Sequence, residues 1–284
     1  VQESDFIEAI HAAIENGVNF FDTSDTYGLG QSEITLAKGI AENRHSVIIA
    51  SKFGVHVTSK GTIYDNRPEY IRESLNNSLK RLNTDYLDLY IIHYRDGKTP
   101  IEDVVGELIR LRDEGKLRYF GLSNIKTDDI SEIQPYKNFF VSCQNEFSLA
   151  TRDYEKDLFN QVKRLGVTPT TWGSLGQGIL TGKYNRDNIN FESNDRRSRD
   201  IYVNFHGEKL NNNLQIVDEL RKIASKYGKS IPACAIRFIL DYISGSVVLA
   251  GVKNPSQLYS NIEAMDWNLE KEDLDKLNNI SNKF

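Results

Sequence analysis

Short apolar runs alternate with longer amphipathic stretches along the chain, and no Ser/Pro-rich linker separates them. This alternation constrains the fold more than any other feature. An apolar run bounded by turn residues reads as a buried strand, and apolar residues recurring every three or four positions read as a helix packed over it. Strands alternating with helices pair in parallel through crossover connections. The spacing predicts helix 4–16, stopped by Asn16-Gly17, then strand 18–22, helix 31–41 and strand 46–51. A polar loop leads to Arg67-Pro68, where proline suits the first turn of a helix carrying Ile71, Leu75, Leu79 and Leu82. Strand 87–93, helix 101–114, strand 117–122, a short helix at 127–133 and strand 139–143 follow. Helix 153–165 and strand 167–172 come next, and the segment 183–208 is long, polar and without period. Helices 211–227 and 232–243, strand 246–250, and helices near 255–263 and 270–282 complete the pattern.

These elements make seven strand–helix units, one short of a (β/α)8 barrel. The chain begins at Val1 and enters a helical pattern at once, with Phe6, Ile7, Ile10, Ala13 and Ile14 on one face. The expectation is an α/β TIM barrel forming a single domain over 1–284, whose first strand lies upstream of Val1 and is missing from this chain.

Three of the strands end in polar residues. Phe20-Phe21 runs into Asp22-Thr23-Ser24-Asp25-Thr26-Tyr27-Gly28. Val47-Ile48-Ile49-Ala50-Ser51 ends on Lys52, and Leu87 through Ile92 ends on His93. In a parallel barrel such ends share one rim, where active sites of the fold are built. Singly, each residue has an ordinary reading: a solvated lysine, a satisfied histidine, a packed tyrosine. The combination of Asp22, Tyr27, Lys52 and His93 at equivalent places points to chemistry.

The stretches Phe20-Phe21-Asp22-Thr23 through Tyr27-Gly28, Ser51-Lys52-Phe53-Gly54 and Ile91-Ile92-His93 resemble the tetrad motifs of the aldo-keto reductases. The likeness extends through Gly115-Lys116-Leu117-Arg118-Tyr119-Phe120-Gly121-Leu122-Ser123-Asn124, Gln144-Asn145-Glu146-Phe147 and Gln177-Gly178-Ile179-Leu180-Thr181-Gly182-Lys183-Tyr184. It implies a barrel enzyme that reduces an aldehyde, ketone or keto-sugar to an alcohol with a nicotinamide cofactor. Tyr27 would be the general acid. A free tyrosine has a pKa of roughly 10, and an adjacent ammonium, that of Lys52, favours the phenolate and strengthens the acid. Asp22 would keep Lys52 charged, and His93 would orient the carbonyl oxygen.

The hydride must come from a cofactor. Gly28-Leu29-Gly30-Gln31-Ser32-Glu33 does not match the dinucleotide fingerprint G-x-G-x-x-G. The resemblance instead sets the carboxamide against Ser123, Asn124 and Gln144, whose side chains can hydrogen-bond it. It stacks the ring on Trp172 and runs the pyrophosphate past Gly173, Leu175 and Gln177. Here Trp172-Gly173-Ser174-Leu175 departs from the aromatic-Ser-Pro-Leu frequent in the family, which puts the usual serine contact in doubt. Ala250 likewise replaces the usual proline before Gly251, with no clear consequence. The likeness further implies cofactor contacts at Gly251, Lys253, Gln257 and Asn261. A lysine at 253 favours the 2′-phosphate, so NADPH over NADH. Tyr64 and Tyr94 are candidates for the substrate pocket. Arg196, Arg197 and Arg199 either clamp a phosphorylated substrate or are solvated; Asp195-Arg196-Arg197-Ser198 is itself a common family sequence.

A net charge of −5 argues against a nucleic-acid partner. No apolar run reaches the roughly 18 residues of a membrane helix. Two cysteines in apolar surroundings, Cys143 and Cys234, fit free thiols in a reducing cytoplasm. The remaining histidines show no metal-ligand spacing. Two alternatives to a reductase stay open: a nucleotide-binding regulatory subunit resembling the potassium-channel β subunits, and a sugar or polyol dehydrogenase working in the oxidative direction. The substrate, a small carbonyl compound, and the oligomeric state are not fixed by the sequence.

Overall fold

The computed structural model describes residues 2–58, 61–186, 189, 191 and 195–283, with only the backbone at 196. The chain divides into two compact units, one of residues 1–145, 156–169 and 252–255, the other of 146–155, 170–251 and 256–284.

The first unit contains α1 (Glu3–Glu15), β1 (Phe20–Asp22), α2 (Gln31–Ile40), β2 (Ile48–Phe53), β3 (Val55–Thr58), β4 (Gly61–Tyr64) and α3 (Pro68–Leu82). It continues with β5 (Leu87–Ile92), α4 (Ile101–Asp113), β6 (Leu117–Ser123), α5 (Ile130–Ile133), β7 (Phe140–Glu146) and α6 (Glu155–Leu165). Its main sheet is parallel, in the order β1-β2-β5-β6-β7, as the alternation predicts. β5 is buried along its whole length, as expected where a parallel sheet is covered on both faces.

Side chains of a strand alternate between faces, and here the alternation sorts core from site. Ile49, Phe53, Tyr90 and Ile92 pack against Ile71 and Leu75 of α3. The opposite face carries Ala50, Leu89 and Ile91, with Phe20 against them. A Cβ on Gly121 would lie 2.9 Å from Ile91 and 3.0 Å from Ser142, so glycine is needed for the close approach on this face. Counting two residues onward along each strand puts Asp22, Lys52, Ser123 and Gln144 on that same face, with His93 two residues past Ile91.

One stretch expected to be a loop is folded. β3 and β4 pair antiparallel, Val55 opposite Tyr64. Tyr70 of α3 donates its hydroxyl to the Val55 carbonyl at 3.1 Å, and its ring stacks on His56 at 5.9 Å. The anchor lies on the following helix, so the hairpin has no strong local signal.

The second unit contains most of β8 (Thr168–Trp172), α7 (Gly207–Tyr227), α8 (Ile231–Tyr242), β9 (Val247–Val248), most of α9 (Pro255–Ile262) and α10 (Lys271–Asn282). β8 pairs with β9 in parallel, Thr170 opposite Val247. Ala233, Ile236 and Ala264 form a core against which Leu175 and Val248 pack. Both cysteines are free and buried. Burial pushes the Cys143 thiol well above its ordinary range and that of Cys234 up to about 12. Among the described residues no helix is long and apolar enough to cross a membrane.

Candidate active site

In the first unit Asp22, Tyr27, Lys52 and His93 come together. Lys52 is 1% exposed, and its ammonium donates to Asp22 Oδ1 at 2.5 Å and to the Thr23 carbonyl at 2.7 Å. The other Asp22 oxygen accepts Gln144 Nε2 at 2.7 Å. Burial alone would pull the ammonium down. The Asp22 carboxylate and the Tyr27 phenol outweigh it and hold Lys52 above its ordinary value. The same ammonium lies 4.9 Å from the centre of the Tyr27 ring. Tyr27 is 43% exposed, so it faces outward from a buried cation.

His93 meets Tyr27 edge to face, with ring centres 6.1 Å apart. Its main chain is fixed on both sides: its amide donates to the Phe53 carbonyl at 2.8 Å, and its carbonyl accepts Asn124 Nδ2 at 3.1 Å. Burial, with the Lys52 charge adding, brings the imidazole down to about 3. The ring is therefore neutral at physiological pH, and its Nδ1 is buried with no hydrogen-bond partner among the described residues.

Asn124 takes a left-handed conformation, φ 56°. That kink after β6 lets its amide reach both the His93 carbonyl and Ser123 Oγ, the latter at 3.0 Å. Ser123 and Gln144 lie opposite each other across β6 and β7. Tyr64 and Tyr94 join the group through a run of rings: His93 to Tyr94 at 5.1 Å, then Tyr94 to Tyr64 at 5.3 Å. Lys253, also in this unit, is exposed.

In the second unit Trp172 closes β8, and its carbonyl accepts the Phe147 amide at 3.1 Å. Gly173 has φ +67°, and a Cβ there would come within 3.0 Å of the Glu146 carboxyl. The Leu175 carbonyl accepts the Gly178 amide at 2.9 Å, while Gln177 at φ 59° and Gly178 at φ 105° bend the chain through left-handed conformations. Gly251 is exposed after β9. Gln257 and Asn261 share one face of α9. Asn261 is buried, and its Nδ2 has no partner among the described residues.

Of the arginines in 185–207, Arg197 is held locally. Its Nε donates to Asp195 at 2.8 Å, and its guanidinium lies over Tyr184 and Phe191 at 5.3 and 5.0 Å. Arg199 is exposed, and the Arg196 side chain lies outside the described residues. No group of three His, Cys, Asp or Glu able to hold a metal occurs among the described residues.

Sequence reasoning missed a polar cluster under the Tyr27 turn. Glu33 is fully buried, accepting Ser51 Oγ and Arg81 Nε, both at 2.6 Å. Asp25 accepts Ser24 Oγ at 3.0 Å and Ser74 Oγ at 3.1 Å. A signal was present, since Glu33 falls on the apolar stripe of α2 with Leu36 and Ile40, where a charge needs a partner.

The sequence model of the Aldo/keto reductase family matches residues 1–282. The chain is 34% identical over 281 residues to the aldo-keto reductase YhdN of Bacillus subtilis, covering 98% of this chain and 84% of that one. It is 28% identical to an NADH-specific methylglyoxal reductase of Escherichia coli, over 94% of this chain and 84% of the other. Among solved structures, the glycerol dehydrogenase AKR11B4 from Gluconobacter oxydans superposes with a TM-score of 0.87 at 32% identity, covering 99% of this chain and 86% of that chain.

Proposed function

From a chain that belongs to the aldo-keto reductase family, with its (β/α)8 class of fold, we propose a nicotinamide-dependent reductase of small carbonyl compounds in which Tyr27 is the general acid. The observation that carries this reading is the buried ammonium of Lys52, ion-paired to Asp22 and 4.9 Å from the Tyr27 ring. A cation held in a dry site stabilises the negative charge that builds on the Tyr27 oxygen as its proton passes to a carbonyl oxygen. Asp22 keeps Lys52 charged, and Gln144 fixes the carboxylate. His93, neutral because it is buried beside a cation, acts as a hydrogen-bond donor that directs the oxygen, not as an acid.

Each unit taken by itself offers groups that suit part of a nicotinamide dinucleotide. Gln144 Nε2 is already donated to Asp22, which leaves Oε1 to accept from a carboxamide, and Asn124 likewise keeps its oxygen. Trp172 offers a ring face, and Gly173, Leu175 and Gln177 offer a bent main chain for the pyrophosphate. In the second unit Gly251, Gln257 and the amide of Asn261, which has no partner among the described residues, suit the adenosine end; in the first unit the family likeness gives Lys253 the same part. When bound, the nicotinamide supplies the hydride that no side chain can. Lys253 favours NADPH, and the NADH-specific relative makes the choice worth measuring directly. Tyr64 and Tyr94 would form one wall of the substrate pocket.

The test is cofactor oxidation with 4-nitrobenzaldehyde, run with NADPH and with NADH, beside Tyr27→Phe. The expected result is turnover with NADPH and a loss of at least about 100-fold in kcat for the variant, with cofactor affinity unchanged. Normal turnover by Tyr27→Phe would reject Tyr27 as the acid. A second reading, oxidation of a polyol, is favoured by the likeness to a glycerol dehydrogenase; glycerol with NADP+ in the same assay reads that direction.

A further inference from the structure

The turn that carries Tyr27 is tied down by a carboxyl that lacks a cation of its own. Thr23 anchors one side, its Oγ1 donating to Ser32 Oγ of α2 at 2.9 Å and its carbonyl receiving Lys52. Within the turn the Tyr27 amide donates to the Ser24 carbonyl at 3.2 Å. Ser24 Oγ bridges to Thr26 Oγ1 at 3.0 Å. Asp25 provides the other anchor. One oxygen takes Ser24 Oγ from the turn itself, and the other takes Ser74 Oγ from the buried face of α3.

The surroundings of Asp25 are unbalanced. Glu33 of α2 faces it, and the cation present, Arg81 of α3, is spent on Glu33 at 2.6 Å. Tyr70 of α3 and Tyr90 of β5 also face it, and the buried Tyr90 hydroxyl lies beside Ser74. Gly30 keeps Arg81 where it is, since a Cβ there would come within 2.7 Å of its side chain. Two carboxyls thus share one guanidinium, and among the described residues Asp25 forms no ion pair. An ionised carboxylate only accepts, so it can hold two hydroxyl donors at once. Once protonated it carries a donor of its own, and both hydroxyls lose a charged acceptor, so each tie falls to the strength of a neutral hydrogen bond.

We propose that Asp25 is a positioning residue for Tyr27: ionised, it clamps the Thr23–Tyr27 turn to α3 through Ser74, and protonation loosens the clamp and lowers turnover. The proposal rests on Tyr27 being the proton donor. Burial supports a switch within the working range, pushing the Asp25 carboxyl up to about 6 against the pull of the Ser24 and Ser74 hydrogen bonds. His93 does not compete there, being neutral down to about 3.

The experiment follows single-turnover reduction of 4-nitrobenzaldehyde from pH 5 to 8 in the full chain, with Asp25→Asn and Ser74→Ala. The wild type is expected to lose rate below about pH 6. Asp25→Asn, with no proton to take up, is expected to run at one reduced rate throughout, and Ser74→Ala to be slowed about tenfold at pH 7.5 with unchanged NADPH affinity. An acid limb that persists in Asp25→Asn overturns the proposal. Hydrogen exchange of the peptide spanning 23–29, corrected for intrinsic rates, gives a readout independent of turnover. The wild type should exchange faster at pH 5 than at pH 7.5, and Asp25→Asn equally at both. If Tyr27→Phe proves fully active, the acid assignment fails by itself, while equal wild-type exchange at both pH values overturns the clamp.

Discussion

Asp22, half-buried, and Asp88, buried, are carboxylates of the parallel sheet of the first unit, but they sit at opposite ends of their strands and hold their cations differently. Asp88 lies at the start of β5. It binds two guanidiniums, Arg44 and Arg118, each at 2.9 Å, and also accepts the Ile49 amide at 3.0 Å. Both guanidiniums lie over the Tyr86 ring, at 4.0 and 4.2 Å. Arg44 also donates to Thr84 Oγ1 and to the Val47 and Tyr86 carbonyls. A planar fork that stacks and pairs at once suits a permanent tie. Asp22, at the end of β1, holds one lysine, and that lysine leans on a half-exposed tyrosine beside a histidine with an orphaned nitrogen. The contrast separates two uses of buried charge. One end is paired to completion, and the other is left with unspent hydrogen-bonding groups, as expected where the strands' C-terminal ends carry chemistry.

The comparison breaks if the two ends respond alike to mutation. Lys52→Met should have the largest effect on rate, reducing kcat per folded molecule by at least about 100-fold; it also leaves the Asp22 carboxylate without its cation and should cost some stability, limited by the hydrogen bond that Gln144 still donates to it. Rate measurement paired with urea unfolding checks both halves. Asp88→Ala should do the reverse. Removing one partner strands Arg44 in a buried site and should cost roughly 3 kcal/mol of stability, with kcat per folded molecule unchanged. A loss of rate in Asp88→Ala without loss of stability would erase the distinction.

The smallest effect should come from His93. Its folded-state value, about 3, lies below the ordinary 6.5, so the folded protein binds fewer protons than the unfolded chain between those values. Its contribution to stability is full above about pH 6.5 and is lost as pH falls toward 3. Urea unfolding of His93→Gln should accordingly show a shallower loss of stability between pH 6.5 and 4.5 than the wild type. An identical slope would mean that the imidazole charges freely.

How much of this was legible beforehand depends on what each feature needed. Asp22, Lys52 and His93 could be read because strand, polar end and period of two are all local, and the same period brings Ser123 and Gln144 to their face. Trp172, Gly173, Leu175, Gln177, Gly251, Lys253, Gln257 and Asn261 came from family likeness, since a bent main chain has no periodicity to reveal it. The β3–β4 hairpin was hidden because its anchor, Tyr70, belongs to another element. The Asp25–Glu33–Arg81 cluster was hidden for a related reason. Whether a carboxyl on α2 meets a guanidinium on α3 depends on how two helices are rotated against each other, and periodicity gives only the face each presents to the sheet.

The two cysteines carry a last consequence. Aldehydes, and conjugated enals above all, are electrophiles that alkylate thiolates, so a protein that handles them risks being modified by what it handles. Thiolate is the reactive form, and burial holds Cys143 and Cys234 protonated and covered. No third cysteine occurs in the 284 residues, so the folded chain presents no exposed thiolate to such compounds.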